Sequence, residues 1–263
     1  MPAAELADEL VDLHGEPHPV PPFTSRHPGL TPADGYAAAA ALHRHRVAAG
    51  WKPVGRKIGF TNRTLWPRYG VYEPIWGTVY DRTLVPAAAN AATVSLSDLV
   101  QPRIEPEICF GLKARPGPDR LLDAIEWVAH SIEIVQCYHP DWKFELPDST
   151  AANGLHGRLV IGQKVPAAEL PGLVDALPAL EIALKKGSQT VDRGVGANVL
   201  DSPLLALAYL VNVLAAQPGA PALAPGEAIS TGTLTDAHPV RPGETWSTEI
   251  RGLALPGLTV RFT

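Results

Sequence analysis

The stretch QPRIEPEICFGL, residues 101–112, constrains the fold of this chain more than any other segment. It places two glutamates, Glu105 and Glu107, one residue apart in an otherwise apolar run. In a strand the side chains alternate between two faces, so both glutamates lie on one face and their apolar neighbours on the other. Neighbouring carboxylates repel each other, and burying them without a partner is expensive. The segment therefore predicts a strand that needs either positive charge or solvent on one face.

A third glutamate has similar surroundings. In HSIEIVQC, Glu133 stands between two isoleucines and before a valine, a pattern typical of a buried strand. Carboxylates in apolar strands, without a His/Cys cluster at zinc spacing, favour a hard cation with oxygen ligands, Mg²⁺ or Mn²⁺. The alternative is that Glu105 and Glu107 pair with basic neighbours such as Arg103 on a solvated face.

A lysine occupies another predicted strand. In GRKIGF, Gly55, Lys57 and Gly59 share one face. Because neither glycine has a side chain, the lysine has room beside it for a ligand. Such a lysine could hold a substrate carboxylate or transfer a proton. The alternative is an exposed lysine whose glycines mark a bulge or tight backbone packing.

Charge and composition narrow the partners and the location. The formal net charge is −5 and Lys/Arg blocks are absent, which argues against nucleic acid or an anionic membrane as partner. The acidic N-terminal stretch does not resemble a signal peptide, and no apolar run approaches transmembrane length. Cys109 and Cys137 lie far apart beside apolar residues, which favours reduced, buried thiols. We therefore expect a soluble cytoplasmic protein.

Periodicity and turn signals predict an α+β protein with a small N-terminal helical and strand region, 1–78, and a β-rich catalytic domain, 79–263. Thr31 before Pro32 indicates a helix start, and Asp201 or Ser202 before Pro203 indicates another. The predicted helices are 3–13, 31 to about 50, roughly 119–130 and 202–216. The predicted strands are 54–60, 79–85, 102–112 and 158–163, and further strands are expected in the tail. Residues 61–77 are expected to be rich in loops, with one short helix.

Several common catalytic motifs are missing. The sequence has no GxSxG elbow, P-loop or GxGxxG, which disfavours α/β-hydrolases, NTPases and Rossmann dehydrogenases. Two histidines, His139 and His156, lie near a Gly/Pro-rich segment that could form a lid, and Glu145 and Asp148 add acidic groups there.

Together these residues resemble the fumarylacetoacetate hydrolase superfamily, in the branch of 2-oxo-4-pentenoate hydratases and 4-oxalocrotonate decarboxylases. The resemblance rests on GRKIGFTN, YGVYEPIWGTVYDR, QPRIEPEICFGL, DAIEWVAHSIEIVQ, GANVLDSPLLALAYL and STGTLTDAHPVRPGE, in the family's order from about residue 30 onward. It implies a mixed β-roll core of the superfamily's C-terminal type with a small N-terminal helical part.

The resemblance also implies roles for individual residues. The family's Glu-x-Glu falls on Glu105 and Glu107, and its third metal carboxylate on Glu133, with Mg²⁺ as the implied cofactor and Mn²⁺ as an alternative. The strand lysine falls on Lys57 and the acidic lid residue on Asp148, as catalytic groups. The substrate-binding positions are expected to be Thr231, Gly232, Ile75 and His156.

The implied activity is that of a lyase acting on an unsaturated 2-oxo acid through an enolate whose charge the metal stabilises. Ile75 occupies a position where hydratases of the family often carry an aspartate, which favours decarboxylation because isoleucine cannot activate water. The alternatives are an acylpyruvate or fumarylacetoacetate-type C–C hydrolase, with His139 or His156 and Glu145 as its acid–base pair, and an oxaloacetate tautomerase or decarboxylase.

The expected partners follow from the same resemblance. They are a small 2-oxo acid substrate and further copies of the chain, because the apolar tail strands would leave an exposed face in a monomer. Some relatives work as paired subunits, so a complex with a related lyase subunit, or a chiefly supporting role in one, is a further alternative.

Overall fold

A computed structural model describes residues 2–117 and 120–263. The helices are α1 Pro2–Gly15, α2 Phe23–Arg26, α3 Pro32–Ala48, α4 Trp66–Tyr69, α5 Leu121–Ala124, α6 Leu146–Ala151, α7 Leu173–Ala179 and α8 Pro203–Ala216. The strands are β1 Pro53–Gly59, β2 Ile75–Tyr80, β3 Leu84–Pro86, β4 Ala91–Val94, β5 Arg103–Leu112, β6 Ile125–Val135, β7 His156–Ile161, β8 Val165–Pro166, β9 Glu181–Lys186, β10 Gln189–Val195, β11 Ala228–Ser230, β12 His238–Pro239, β13 Thr245–Arg251 and β14 Thr259–Phe262. Within the described ranges, none of these helices has the length and apolar character needed to span a membrane.

The larger of two sheets carries the predicted site. Its strand order is β2-β1-β11-β5-β6-β7-β3, with β12 beside β5 and β8 beside β6. β5 and β6 are antiparallel, and Glu105 lies directly opposite Glu133 in their register. β1 is parallel to β11, which brings Lys57 opposite Ser230. The predicted metal ligands and the predicted lysine therefore come from neighbouring strands of one sheet.

A second sheet, in the order β10-β9-β13-β14-β4, covers part of the larger one. Ile104 and Ile132 of the large sheet pack in one buried cluster with Trp246, Val260 and Phe262 of the second sheet. Because Ile104 lies on the face opposite Glu105, this apolar contact leaves the glutamate face free for a site. The sheets and the helices give the predicted mixed α+β fold.

Helices cover both faces of the large sheet. Leu6 and Leu10 of α1 pack with Leu42 of α3 in a cluster that reaches Val135 and Leu155 on the side of the glutamates. α7 and α8 pack with residues of β5 and β6 in another cluster. The helices thus contact the sheet through apolar side chains and add no charged group to these two clusters.

The predicted helix starts are confirmed. Thr31 caps α3 with a capping box, in which its side chain accepts from the Asp34 N–H while the Asp34 carboxylate accepts from the Thr31 N–H. Pro32 occupies the first turn, where its missing N–H costs nothing. At α8 the cap is Ser202, whose hydroxyl accepts from the Leu204 N–H.

The predicted helix over 119–130 is wrong. Only Leu121–Ala124 is helical, and Ile125 begins the long strand β6, while Asp119 lies outside the described residues. β6 pairs with β5 from Ile125 onward. The helical spacing of DRLLDAIEWVAH is overridden because pairing with the buried strand β5 satisfies backbone groups from Ile125 onward, apart from the irregularity at Glu126.

The middle of the N-terminal half also differs from prediction. Ile75–Tyr80 is a strand rather than a loop, and a turn separates it from Leu84–Pro86, so the predicted continuous strand 79–85 is interrupted. β2 crosses the predicted division at 78/79 and pairs with β1, which lies before it. The large sheet therefore contains strands from both sides of that division. The division into 1–78 and 79–263 stays a prediction.

Candidate functional site

The three predicted metal ligands lie together on one face of β5 and β6. One carboxylate oxygen from each of Glu105, Glu107 and Glu133 lies within 4.8 Å of the others. Glu107 and Glu133 are fully buried, whereas Glu105 is partly exposed. The cluster is therefore open to ligands from the side of Glu105.

The buried glutamates each have one oxygen bonded to the protein and one left over. Oε2 of Glu107 accepts hydrogen bonds from the Ser230 hydroxyl at 2.5 Å and the Gly232 N–H at 2.9 Å. Oε1 of Glu133 lies 2.7 Å from Nδ1 of His156. Among the described residues, Glu107 Oε1 and Glu133 Oε2 have no hydrogen-bond partner, although Glu133 Oε2 lies 3.2 Å from the Lys57 ammonium as an ion pair. Buried carboxylate oxygens without hydrogen bonds at this spacing fit a hard divalent cation such as Mg²⁺.

The electrostatics of the cluster also favour a bound divalent cation. Burial raises the pKa of Glu105 to about 7, although the charge of Lys57 opposes the shift. Burial, followed by repulsion from the other two glutamates, raises the pKa of Glu107 well above its usual value. A divalent cation would remove this repulsion, because each carboxylate would then face an opposite charge.

Lys57 is the cation that the chain itself supplies. Its buried Nζ donates to the Gly154 carbonyl oxygen at 2.8 Å and lies 3.2 Å from Oε2 of Glu133. Burial lowers the pKa of Lys57, but the charges of the three glutamates outweigh burial, so the net direction is upward. In the reverse sense, burial raises the pKa of Glu133, but Lys57 and His156 bring it below its usual value. Lys57 is thus held as an ammonium beside the carboxylates.

A left-handed turn positions the Gly154 carbonyl, which accepts the hydrogen bond from Lys57. Asn153, Gly154 and Leu155 all have positive φ angles of 55–66°. Non-glycine residues rarely adopt this conformation, and local contacts must hold it. The Asn153 side chain does so by bonding both the N–H and the carbonyl of Thr78 in β2. The turn thereby directs the Gly154 carbonyl toward Lys57.

Thr231 and Gly232 hold β5, the strand of Glu105 and Glu107, in place. Both the hydroxyl and the N–H of Thr231 donate to the Ile108 carbonyl, and the Gly232 N–H donates to Glu107. Gly232 has φ of 102°, and a Cβ there would lie 1.8 Å from Oγ1 of Thr61, so only glycine allows this approach. Direct contact of either residue with substrate stays a prediction, since these donors already have protein partners.

A cavity beside Lys57 and Glu105 is the candidate binding space. Its wall is largely aromatic and aliphatic, and its volume is about 30 Å³. Its lining residues are Lys57, Gly59, Phe60, Asn62, Leu65, Tyr69, Glu105, Val135, Trp142, Gly154, Leu155, Thr233 and Ala237. Gly59 provides the predicted room, because a Cβ there would lie 3.2 Å from the Lys57 Nζ and 3.1 Å from Cγ1 of Ile75. Ile75 lies on the other side of this space from the Lys57 Nζ and is not among the lining residues, so its contact with substrate stays a prediction.

Asp148 and the lid histidine His139 are not among the cavity-lining residues. Both oxygens of Asp148 accept hydrogen bonds from Thr24, and one also accepts from the Glu145 N–H. His139 packs against the ring of Phe23 and contacts the Val20 carbonyl. These two side chains connect the N-terminal segment to residues 139–148, and a catalytic role for Asp148 stays a prediction.

The remaining predicted contact, His156, lies behind the cluster. It bonds Glu133 rather than lining the cavity. The alternative pairing of the glutamates with Arg103 is not seen. Arg103 donates to the Tyr69 hydroxyl at 2.6 Å and lies over the Trp142 ring, and no carboxylate of the described chain lies within 4 Å of it.

Sequence reasoning missed most of the cavity wall. Phe60, Tyr69 and Trp142 come from three separate loop or short helical segments, so no periodic pattern marks them. Ser230, which bonds Glu107, was also missed. Its place directly before the Thr-Gly pair, in a strand next to β5, is the signal that would have found it.

Comparison with known proteins identifies the family. A 4-oxalocrotonate decarboxylase of Pseudomonas sp. (strain CF600) is 32% identical over 263 residues, covering 98% of this chain and 95% of that protein. A 2-hydroxyhexa-2,4-dienoate hydratase of Comamonas testosteroni is 34% identical over 247 residues, covering 92% and 90%. The chain belongs to the hydratase/decarboxylase family. No protein-family model matches the sequence.

Solved structures agree with this family. The structure of 4-oxalocrotonate decarboxylase from Pseudomonas putida G7, complexed with magnesium and adipate, matches with a TM-score of 0.89 at 29% identity, covering 99% of this chain and 97% of that one. A fumarylacetoacetate hydrolase family protein from Yersinia pestis CO92 matches with a TM-score of 0.59 at 15% identity, covering 81% and 94%, which shows the fold alone.

These relatives confirm the predicted hydratase/decarboxylase branch, the predicted fold and the class of enzyme, a metal-dependent lyase. The predicted magnesium cofactor agrees with the complex of the Pseudomonas putida enzyme and with the carboxylate cluster of this chain. The relatives include both hydratases and decarboxylases at similar identity, so similarity does not distinguish these two reactions.

Proposed function

We propose that this member of the hydratase/decarboxylase family is a Mg²⁺-dependent decarboxylase of an unsaturated 2-oxo diacid. One observation carries the choice of decarboxylation. Among the described lining residues of the cavity, the only ionisable side chains are Lys57, Tyr69 and Glu105. Glu105 belongs to the metal cluster and Lys57 is held as an ammonium, so the wall offers no free base for activating water.

Glu105, Glu107 and Glu133 would hold the cation. When bound, Mg²⁺ would act as a Lewis acid toward the carboxylate and keto oxygens of a 2-oxo acid. The chain's own contribution is to keep the cluster rigid, since Ser230 and Gly232 fix Glu107. Mn²⁺ has the same preference for oxygen ligands and is expected to substitute for Mg²⁺.

Lys57 would orient the substrate and carry a proton. Its Nζ lies at the cavity wall, between the cluster and the apolar side. As an ammonium it can attract a substrate carboxylate and donate a proton to the carbon that loses CO₂. Because Gly154 and Glu133 hold it from behind, the ammonium keeps one fixed position relative to the cluster.

The apolar wall would suppress hydration. Phe60, Leu65 and Trp142 line the cavity, and Ile75 lies next to Gly59, which is also part of the wall. Decarboxylation requires no water in its first step, so excluding water favours it over hydration.

Hydration is the second candidate, because a hydratase is among the relatives. For that reaction Asp148 would be the base, and its oxygens would first have to leave Thr24 and the Glu145 N–H. The hydrolase alternative lacks a comparable observation, since His139 contacts the N-terminal segment and His156 bonds Glu133.

The reaction is tested with two substrates. The purified protein with Mg²⁺ is incubated with an oxalocrotonate-type diacid and, separately, with 2-hydroxypenta-2,4-dienoate. We expect CO₂ release from the diacid and little hydration of the dienoate, because the wall lacks a base. An Ile75→Asp variant provides the comparison, since it adds a carboxylate near Lys57 and is expected to raise hydration relative to decarboxylation. Rapid hydration by the natural chain without CO₂ release would reverse the assignment, and turnover of neither substrate would favour the acylpyruvate hydrolase.

We further propose that the chain is cytoplasmic and at least dimeric, and that it turns over substrate without a second lyase subunit. Among the described residues, the tail strands have no exposed large apolar side chain, so the exposed face predicted for them is not seen. Tyr72, Val174 and Leu205 are each more than half exposed in separate elements, and another copy that covered them would remove them from water. Sedimentation at micromolar concentration is expected to give at least twice the chain mass of 28.0 kDa. A 28.0 kDa species would refute the assembly, and activity only after addition of a related lyase would favour the paired-subunit alternative.

A further inference from the structure

His156 occupies a buried position behind the carboxylate cluster. Its Nδ1 lies 2.7 Å from Oε1 of Glu133, and its Nε2 lies 2.8 Å from the hydroxyl oxygen of Thr83. Both His156 and Thr83 are buried, and neither lines the cavity. The imidazole therefore connects a predicted metal ligand to a side chain that substrate does not reach.

A β-bulge turns His156 toward Glu133. Ile134 pairs with Arg158, but the next residue, Val135, pairs with His156 rather than Gly157. The extra residue in β7 interrupts the ladder and redirects the neighbouring side chain. Without this shift, the alternation along β7 would place the His156 side chain on the face of the sheet opposite Glu133.

The bond to Glu133 fixes a proton on Nδ1 of His156, because Glu133 is a carboxylate and only accepts. The Thr83 oxygen accepts from the Tyr80 N–H, and it lies 3.0 Å from the Tyr80 carbonyl oxygen and 2.8 Å from Nε2 of His156. The Thr83 hydroxyl can therefore donate to either of these two atoms, while the proton on Nδ1 is required in both arrangements.

We propose that Thr83 and His156 form a positioning pair that orients Glu133 for the divalent cation. Holding Oε1 of Glu133 on the imidazole leaves Oε2 directed at the cluster and at Lys57. Fixing one rotamer before the cation arrives avoids the loss of side-chain freedom on binding. The inference rests on the proposed metal site and adds two residues to it, replacing the predicted contact of His156 with substrate.

The test compares Thr83→Val with Thr83→Ser in the full-length protein. Valine keeps the shape but removes the hydroxyl, whereas serine keeps the hydroxyl. Calorimetry with Mg²⁺ alone is expected to show about a 10- to 100-fold loss of affinity for Thr83→Val and near-natural affinity for Thr83→Ser. His156→Leu should lose as much, while His156→Asn retains a donor near the Nδ1 position and should lose less.

Two further readouts separate positioning from general damage. In the His156→Leu background, Thr83→Val should change Mg²⁺ affinity little more, because Thr83 acts only through the imidazole. NMR of the metal-free protein with ¹⁵N-labelled histidine should show a proton on Nδ1 of His156. Equal Mg²⁺ affinity for Thr83→Val and Thr83→Ser, or an Nδ1 without a proton, would overturn the proposal. If the natural protein itself bound no Mg²⁺, the proposed metal site would fail instead.

Discussion

Glu107→Gln is expected to abolish Mg²⁺ binding and lower turnover by about 1,000-fold or more, the scale of several kcal/mol of lost charge stabilisation. Glutamine keeps the shape and can still accept hydrogen bonds from Ser230 and Gly232, but its amide is a poor ligand for this cation. Calorimetry measures the affinity, and a thermal scan with and without Mg²⁺ measures folding. The natural protein should melt at a higher temperature with Mg²⁺, since a ligand at 100 times its Kd contributes about 2.7 kcal/mol, and the variant should not.

The same variant should fold well without metal. Burial and repulsion from Glu105 and Glu133 raise the pKa of Glu107, so the native state is penalised for its charge. Removing that charge is expected to leave the metal-free melting temperature unchanged or raised. Glu126→Gln is the matched control, because Glu126 is exposed on the same strand as Glu133. Unchanged Mg²⁺ affinity in both Glu107→Gln and Glu133→Gln would remove the basis for the metal site.

Lys57→Met is expected to have the largest effect on stability. Methionine fills a similar volume, but it leaves Glu133 and the other carboxylates buried without their cation. Breaking a buried ion pair on one side costs about 3–5 kcal/mol, so the metal-free variant should melt markedly earlier. Turnover should also fall strongly, because the proton carrier at the cavity wall is lost.

Adding Mg²⁺ to Lys57→Met should distinguish the contribution of Lys57 to stability from its contribution to turnover. Saturating Mg²⁺ should restore much of the stability of Lys57→Met, because the cation neutralises the same carboxylates, but turnover should stay low. In the Glu133→Gln background the cost of Lys57→Met should shrink, since one uncompensated charge is gone. Lys113→Met, at an exposed lysine, is the control. If metal-free Lys57→Met melted at the same temperature as the natural protein, Lys57 would not be the group that compensates the buried carboxylates.

The two glutamates of β5 and the lysine of β1 could be predicted from local sequence. Alternation along 103–112 fixes which side chains share a face, and this needs only the geometry of a strand. Glu133 was predicted in the same way, although the length of its strand was not. The helical spacing before it was misleading, because pairing with β5 outweighs local helix propensity from Ile125 onward.

The contacts that complete the site could not be predicted, because they join segments far apart in the sequence. Asp148 bonds Thr24, 124 residues away, and the cavity wall combines Phe60 with Trp142. His156 reaches Glu133 only through a bulge, which no local pattern in this sequence marks.

The sequence by itself determined the family, the three carboxylates and the lysine, because each depends on residue type and on spacing within one strand. Only the tertiary structure decided which carboxylate oxygens lack a hydrogen bond, which ionisable side chains line the cavity and what holds Glu133 in place. Those properties depend on strand register and on distances across the fold. A one-residue shift in register turns a side chain to the opposite face without changing the residues themselves.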